Sequence, residues 1–236
     1  IRRPPRSTLF PSTPLFRSTF HTVQLEAGFA LFSGSRLALR LPFHSSDGPL
    51  GGTSGIGDLI VAWDQRVWSN DAVALHAQAG AKLATGEDDA DGLPQAYQPG
   101  LGTSDIIVGL GVEGGSWNAG MAWQYSDGRS GNTVDRLRRG DDLVLRAGYR
   151  TAVDDFGLGL DVIAVKRLSE SSVRNPPLPS DEPGPVGFVD IPDSDQFQVN
   201  LLGSVSAPIA DDVRASLQAA MPLLQRDVNV DGLKRA

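Results

Sequence analysis

Residues 117–125 read WNAGMAWQY. Trp117, Ala119, Met121, Trp123 and Tyr125 fall on alternate positions, with Asn118, Gly120, Ala122 and Gln124 between them. Successive side chains of an extended strand point to opposite faces. One face of this strand is therefore large and apolar, and the other is small or polar. The fold turns on what the apolar face meets, a protein core or a lipid bilayer.

The same alternation recurs along most of the chain from residue 20 onward. Val23, Leu25, Ala27 and Phe29 oppose Gln24, Glu26 and Gly28. Leu75, Ala77, Ala79 and Ala81 oppose His76, Gln78, Gly80 and Lys82. Leu143, Leu145, Ala147 and Tyr149 oppose Val144, Arg146, Gly148 and Arg150, and Leu158, Leu160 and Val162 oppose Gly159, Asp161 and Ile163. Ten such segments can be read, and none has the periodicity of a helix. Most run to about 9–12 residues, the length of transmembrane strands rather than the roughly 5–6 of globular ones.

The connections alternate in length. Short turns fall near Gly34, Asn70, Gly115, Asp154 and 207–211, and long loops at 44–56, 85–103, 126–141 and 169–194. Short turns on one rim and long loops on the other mark an outer-membrane barrel, and a Greek-key sandwich has no cause to keep that rhythm. The expected fold is an all-β, antiparallel, up-and-down transmembrane β-barrel in a Gram-negative outer membrane. Phe43, Trp63, Trp68, Trp117, Tyr125, Tyr149 and Phe156 are placed to form its interfacial girdles. If both termini are periplasmic, the rhythm calls for one more strand at each end, so the ten strands are expected to belong to about twelve.

Composition sets further bounds. The chain has 236 residues, 27 glycines, no cysteine and a formal charge of −7. No apolar run reaches the roughly 18 residues of a membrane helix. An acidic chain argues against nucleic acid as a partner, and the absence of cysteine removes disulfides and thiolate metal sites. Residues 1–18, IRRPPRSTLFPSTPLFRS, carry four prolines and four arginines and fit neither strand nor helix. They resemble a translated sequencing adapter and are expected to be an unstructured artefact. The barrel domain is then expected to span 19–236.

Four stretches carry a family likeness: GIGDLIVAWDQRVW, AGAKLATGEDDADGLP, GLGTSDIIVGLGVEGGSWNAGMAWQY and QAAMPLLQRDVN. They resemble the outer-membrane transporter family named for the meta-cleavage pathway of phenol degradation, over residues of about 20–230. The resemblance implies a barrel with a solute pathway, and it brings no catalytic or binding residue with it.

Motifs that would signal other chemistry fail on context. Gly109–Gly114 matches G-x-G-x-x-G, but its first glycines lie inside an alternating strand with no helix after them. Glu87–Gly92, EDDADG, opens like a calcium loop, yet Gln98 stands where a bidentate Glu is required, and a solvated acidic loop is the plainer reading. Arg136–Arg139, RLRR, could hold lipid phosphates through guanidinium forks or be a solvated charge run. His21, His44 and His76 form no ligand-spaced cluster, and G-x-S-x-G is absent. No catalytic, cofactor or metal site is expected.

Asp58, Asp64, His76, Lys82, Asp142, Arg146, Arg150, Asp161, Arg167 and Arg214 have the parity of the lumen face. They line a selective pore or fill a narrow barrel as salt-bridged side chains. Two functions follow: passive conduction of small solutes, hydrophobic or aromatic ones among them, or a non-conducting structural or surface-interaction barrel working through its acidic loops. Expected partners are outer-membrane lipid and lipopolysaccharide. At the 152–155 turn the pattern sets Arg146 directly opposite Asp161 if Thr151 faces Phe156.

Overall fold

The computed structural model describes residues 19–134, 136–174, 187–210, 213–226 and 228. Residues 1–18 lie outside the described residues. Ten long strands form the wall: β1 (Thr19–Ala30), β2 (Ser35–Gly48), β3 (Leu59–Ser69), β4 (Ala74–Leu83), β5 (Ser104–Gly114), β6 (Trp117–Asp127), β7 (Asp142–Val153), β8 (Phe156–Arg167), β9 (Phe197–Ala210) and β10 (Val213–Leu224). Each pairs antiparallel with its neighbours in the chain, in one sheet running from β1 to β10. The sheet curls into a half-barrel. Gln24 and Glu26 on β1 and Ser216 and Gln218 on β10 line one cavity, so the polar side of the sheet is its concave side.

The alternation read from the sequence sorts the two faces. Leu160 is 53% exposed and its neighbour Asp161 is 2% exposed. Leu75, Trp117, Met121, Leu145 and Leu217 are likewise exposed, and Lys82 is buried. In water such a surface would be untenable, because monomeric soluble proteins rarely show contiguous apolar patches beyond a few hundred Å². Cross-strand neighbours on this face match apolar to apolar: Trp117 lies beside Tyr149, Met121 beside Leu145 and Trp123 beside Leu143. Each such pair contributes roughly 0.2–1 kcal/mol.

Aromatic residues mark two levels on that face. Phe29, Phe32, Trp68, Trp117, Tyr149 and Phe156 sit exposed near the short turns. Phe43, Trp123 and Phe197 sit exposed near the long loops. Trp68 reaches the apolar face because the β3–β4 register shifts between Arg66 and Trp68 and pairs Trp68 with Leu75. Trp63, expected in the girdle, is partly covered and donates its indole N–H to Ser35 Oγ at 2.8 Å. From Trp117 to Tyr125 is eight steps of roughly 3.4 Å along the strand. A tilt of about 40° reduces that to about 21 Å, near the roughly 25 Å apolar band of such barrels.

Two details differ from the sequence reading. The segment 44–56 is not an open loop: β2 runs on to Gly48, and Gly51–Ile56 folds back on it as a hairpin. Two of the other long connections, 126–141 and 169–194, supply a second sheet, three-stranded, made of Leu137–Arg138, Ser172–Arg174 and Phe188–Asp190. The only helical turns among the described residues are the 3-10 turns Ala90–Gly92 and Gln95–Tyr97. Among the described residues no helix is long and apolar enough to cross a membrane.

Candidate functional site: the concave polar face

The polar face divides into three groups of charge. The first lies where β3, β4 and β5 meet the long loops. Lys82 Nζ is 3.3 Å from Asp58 Oδ2 and 3.5 Å from Asp105 Oδ1, and it donates to the Thr103 carbonyl. Asp105 also accepts from Gln124 on β6. The two carboxylates and the ammonium are almost wholly removed from solvent, at 5%, 0% and 8% side-chain exposure. A buried charge is tolerated only when paired and hydrogen-bonded, and each here meets both conditions.

Asp58 has a second task. Its Oδ1 accepts from the Gly86 N–H at 3.1 Å and its Oδ2 from the Leu101 N–H at 2.8 Å. One carboxylate thus ties together both ends of the loop between β4 and β5. At this neck Gly57, Gly86 and Gly100 let three backbone segments touch: a Cβ on Gly100 would lie 2.6 Å from the Gly86 carbonyl carbon. The rest of the loop leans on its neighbours. The Tyr97 carbonyl accepts Ser46 Oγ at 2.8 Å, and Asp89 Oδ1 accepts both the N–H and the hydroxyl of Thr133 at 2.8 Å.

Within the exposed acidic stretch EDDADG, two carboxylates serve as internal fastenings. Asp88 receives the Gly131 N–H and Asp89 receives Thr133. Gln98, in the calcium-loop position that would need Glu, clasps the loop instead: its amide bonds the Ala90 N–H at 2.8 Å and the Leu93 carbonyl at 2.8 Å. Among the described residues no group of three or more His, Asp and Glu side chains is arranged to hold a metal ion.

The second group centres on Asp142, at the start of β7. Arg167 grips it with a fork, Nε to Oδ1 at 3.1 Å and Nη2 to Oδ2 at 3.2 Å. Arg139 Nη2 reaches Oδ2 at 3.1 Å, and Arg226 Nη2 stands 3.6 Å from Oδ1. The planar guanidinium matches a carboxylate two atoms to two, which favours Arg over Lys at such a site.

The third group faces the open cavity of about 490 Å³ on the concave side. Arg146 Nε donates to Asp161 Oδ1 at 2.8 Å. Arg40 Nε donates to Glu26 Oε2 at 3.2 Å. Arg150, Ser204, Ser206, Ser216 and Gln218 complete the polar wall. Arg150 has no side-chain partner among the described residues and also borders a second cavity, of about 380 Å³, at the short-turn rim. Near that rim His76 Nδ1 lies 2.8 Å from Asp64 Oδ1. Its Nε2 is 3.2 Å from Glu113 Oε1, at ion-pair distance but without hydrogen-bond geometry.

The Arg146–Asp161 contact corrects the expected register. The β7–β8 turn is only 154–155, with Asp154 at φ 54°, and Val153 pairs with Phe156. Asp161 therefore lies opposite Gly148, and Arg146 opposite Ile163. The ion pair forms along the diagonal, one two-residue step away. Gly148 makes it possible, because a Cβ there would overlap Asp161 Oδ1 and stand 2.9 Å from Asn118 Nδ2.

Of the residues marked from the sequence, Arg146, Arg150 and Asp161 border the main cavity, and Asp64 and His76 pair near the short-turn rim. Asp58, Lys82, Asp142 and Arg167 are locked in buried clusters at the long-loop rim. The side chain of Arg214 lies outside the described residues. Asp105, Glu26 and Arg40 were not marked. Parity already sets Glu26 on β1 and Arg40 on β2 on the polar face, whereas Asp105 sits at the head of β5, where alternation has barely begun.

No family model matches the chain, and no curated protein matches it. Among solved structures it is similar to the crystal structure of an outer membrane channel from Pseudomonas putida F1, at 15% identity and a TM-score of 0.60, over 87% of this chain and 76% of that one. At that identity the likeness carries the fold alone, an antiparallel β-barrel wall.

Proposed function

We propose that the protein is a bacterial outer-membrane β-barrel that passively conducts small solutes, hydrophobic and aromatic compounds among them. The observation that carries this reading is the division of one continuous sheet into an exposed apolar face with two aromatic levels and a concave polar face bordering a cavity of about 490 Å³. Lipid on one side and water on the other satisfy both faces. The likeness to an outer membrane channel supports the same reading. The sequence resemblance to the phenol meta-cleavage transporter family is the ground for naming aromatic solutes.

The rival reading, a non-conducting barrel working through acidic loops, loses ground to the loop geometry. Asp88 and Asp89 are committed to backbone and side-chain donors of the 131–133 segment and are poor hooks for a partner. No enzymatic role is proposed. The test is single-channel recording of the protein in planar bilayers. Discrete conductance steps are expected, with current reduced by an aromatic solute; a bilayer that incorporates the protein without any steps would remove the channel reading.

A further inference from the structure

The small sheet at the long-loop rim carries an unusual concentration of positive charge for an acidic chain. Its strands pair Arg138 with Ser172 and Ser172 with Asp190, and Val173 with both Leu137 and Val189. Arg174 pairs with Phe188, and its N–H bonds the Arg136 carbonyl at 3.2 Å. Cross-strand partners share a face and successive residues alternate. Arg136, Arg138, Arg174, Phe188 and Asp190 therefore stand on one face, while Leu137, Val173 and Val189 stand on the other. Arg136, Arg138, Arg174, Phe188 and Asp190 are exposed and Ser172 between them is buried, while on the other face Leu137 is buried and Val189 exposed.

A fourth arginine joins the exposed face from the preceding loop. The Arg129 guanidinium stacks on the Phe188 ring, 3.4 Å from its centroid. Stacking orients the planar group and leaves its edge N–H groups free to donate. Arg129 Nη1 is shielded from solvent and has no hydrogen-bond partner among the described residues. Arg136 spends one N–H on the Ser130 carbonyl at 3.1 Å. Arg138 and Arg174 are exposed and have no side-chain partner among the described residues. Burial and the nearby Arg138 and Arg136 charges hold Arg129 below the usual arginine range, and Asp190 opposes them. Among the described residues, four guanidiniums thus share a face with one carboxylate. Like charges on adjacent strands repel, and an unmade bond on a shielded guanidinium is costly. An anion with several oxygens would relieve both.

We propose that Arg129, Arg136, Arg138 and Arg174 form a binding site for phosphate groups, with the phosphates of a glycolipid headgroup in the outer leaflet as the ligand of first choice. Guanidinium forks match phosphate oxygens two to two, and a phosphate spans the gap between neighbouring strands. The glycolipid source rests on the outer-membrane reading above, and the phosphate chemistry does not.

The test is titration of the micelle-refolded protein with diphosphoryl lipid A and, separately, with inorganic pyrophosphate. Both should bind saturably if soluble phosphate can occupy the site; lipid A alone should bind if the acyl anchor is needed. The variant Arg138→Gln/Arg174→Gln removes two exposed side chains without side-chain partners among the described residues, so the fold is retained, which heat-modifiable gel mobility checks. It should weaken binding at least tenfold, about the loss of one charge-assisted hydrogen bond. Arg138→Lys/Arg174→Lys keeps the charge but not the fork and should fall between. Arg36→Gln/Arg66→Gln, at arginines on β2 and β3 near the short turns with no side-chain partner among the described residues, should leave binding unchanged. The proposal is overturned if neither probe binds, or if the Gln pair binds as tightly as the parent. Conductance recorded on the same variants tests the channel reading separately.

Discussion

Replacing Lys82 by Met should be among the most destabilising single changes in the barrel wall. Met keeps most of the length of the side chain and removes the charge. Asp58 and Asp105 then remain buried, at 5% and 0% side-chain exposure, without their shared cation. Each keeps some support: Asp58 still accepts from Gly86 and Leu101, and Asp105 from Gln124 and Thr103. Those bonds hold the carboxylates in place but do not cancel two neighbouring negative charges. Removing one partner of a buried pair costs about 3–5 kcal/mol. The remaining hydrogen bonds argue for the lower half of that range. The assay is urea unfolding of the micelle-refolded protein, followed by tryptophan fluorescence. Lys82→Met/Asp105→Asn should be milder than the sum of the two single changes by at least about 0.5 kcal/mol, the coupling expected of residues in contact. A Lys82→Met variant within about 0.5 kcal/mol of the parent, the range of an ordinary surface substitution, would show that the cluster is not a closed, desolvated unit.

Other expectations concern separate parts of the wall. Arg146→Ala and Asp161→Ala should show a coupling of about 0.5–3 kcal/mol in a double-mutant cycle, because they pair diagonally at 2.8 Å; additive effects would reject the contact. Gly148→Ala should destabilise by about 1–3 kcal/mol through overpacking against Asp161, and Asp161→Gly in the same chain should recover part of that loss in the urea midpoint. Asp58→Ala should loosen the 84–103 segment, since both ends of that loop lose their shared acceptor; limited proteolysis should then cut within 86–100, and an unchanged digestion pattern would show that the neck glycines hold the loop unaided.

How much of this was legible in the sequence depends on the kind of contact involved. Strands and faces were readable because a bilayer enforces parity over a whole strand: Leu158, Leu160 and Val162 must all face one way or none can. The ten strands and their antiparallel order followed from that rule and from the alternating loop lengths. Register was less legible, because it depends on turn length. A two-residue turn at 154–155 in place of a four-residue one moved Asp161 from Arg146 to Gly148, and only the reach of the arginine kept the pair. The rim clusters were hardest to see. Asp58 meets Leu101 across 43 residues and Asp88 meets Gly131 across 43. Carboxylates bonded to backbone N–H groups leave no periodic trace, so EDDADG read as a solvated loop, and the two contacts by which Asp88 and Asp89 fasten it went unseen. The arginine face of the second sheet was half visible, as RLRR, but Arg129 and Arg174 join it only through strand pairing and stacking.

The division of the sheet into a lipid face and a water face can be read directly by single-cysteine accessibility, because the chain has no native cysteine to give background. Ser204→Cys and Gln218→Cys place a thiol in the concave cavity, and Leu145→Cys and Leu160→Cys place one on the apolar face. A charged, water-soluble methanethiosulfonate reagent is added during bilayer recording. Modification at 204 and 218 should be fast and should step the current down, while 145 and 160 should neither react nor change the current. Rapid reaction at 145 or 160, or unreactive thiols at 204 and 218, would contradict a barrel with lipid outside and a water path within.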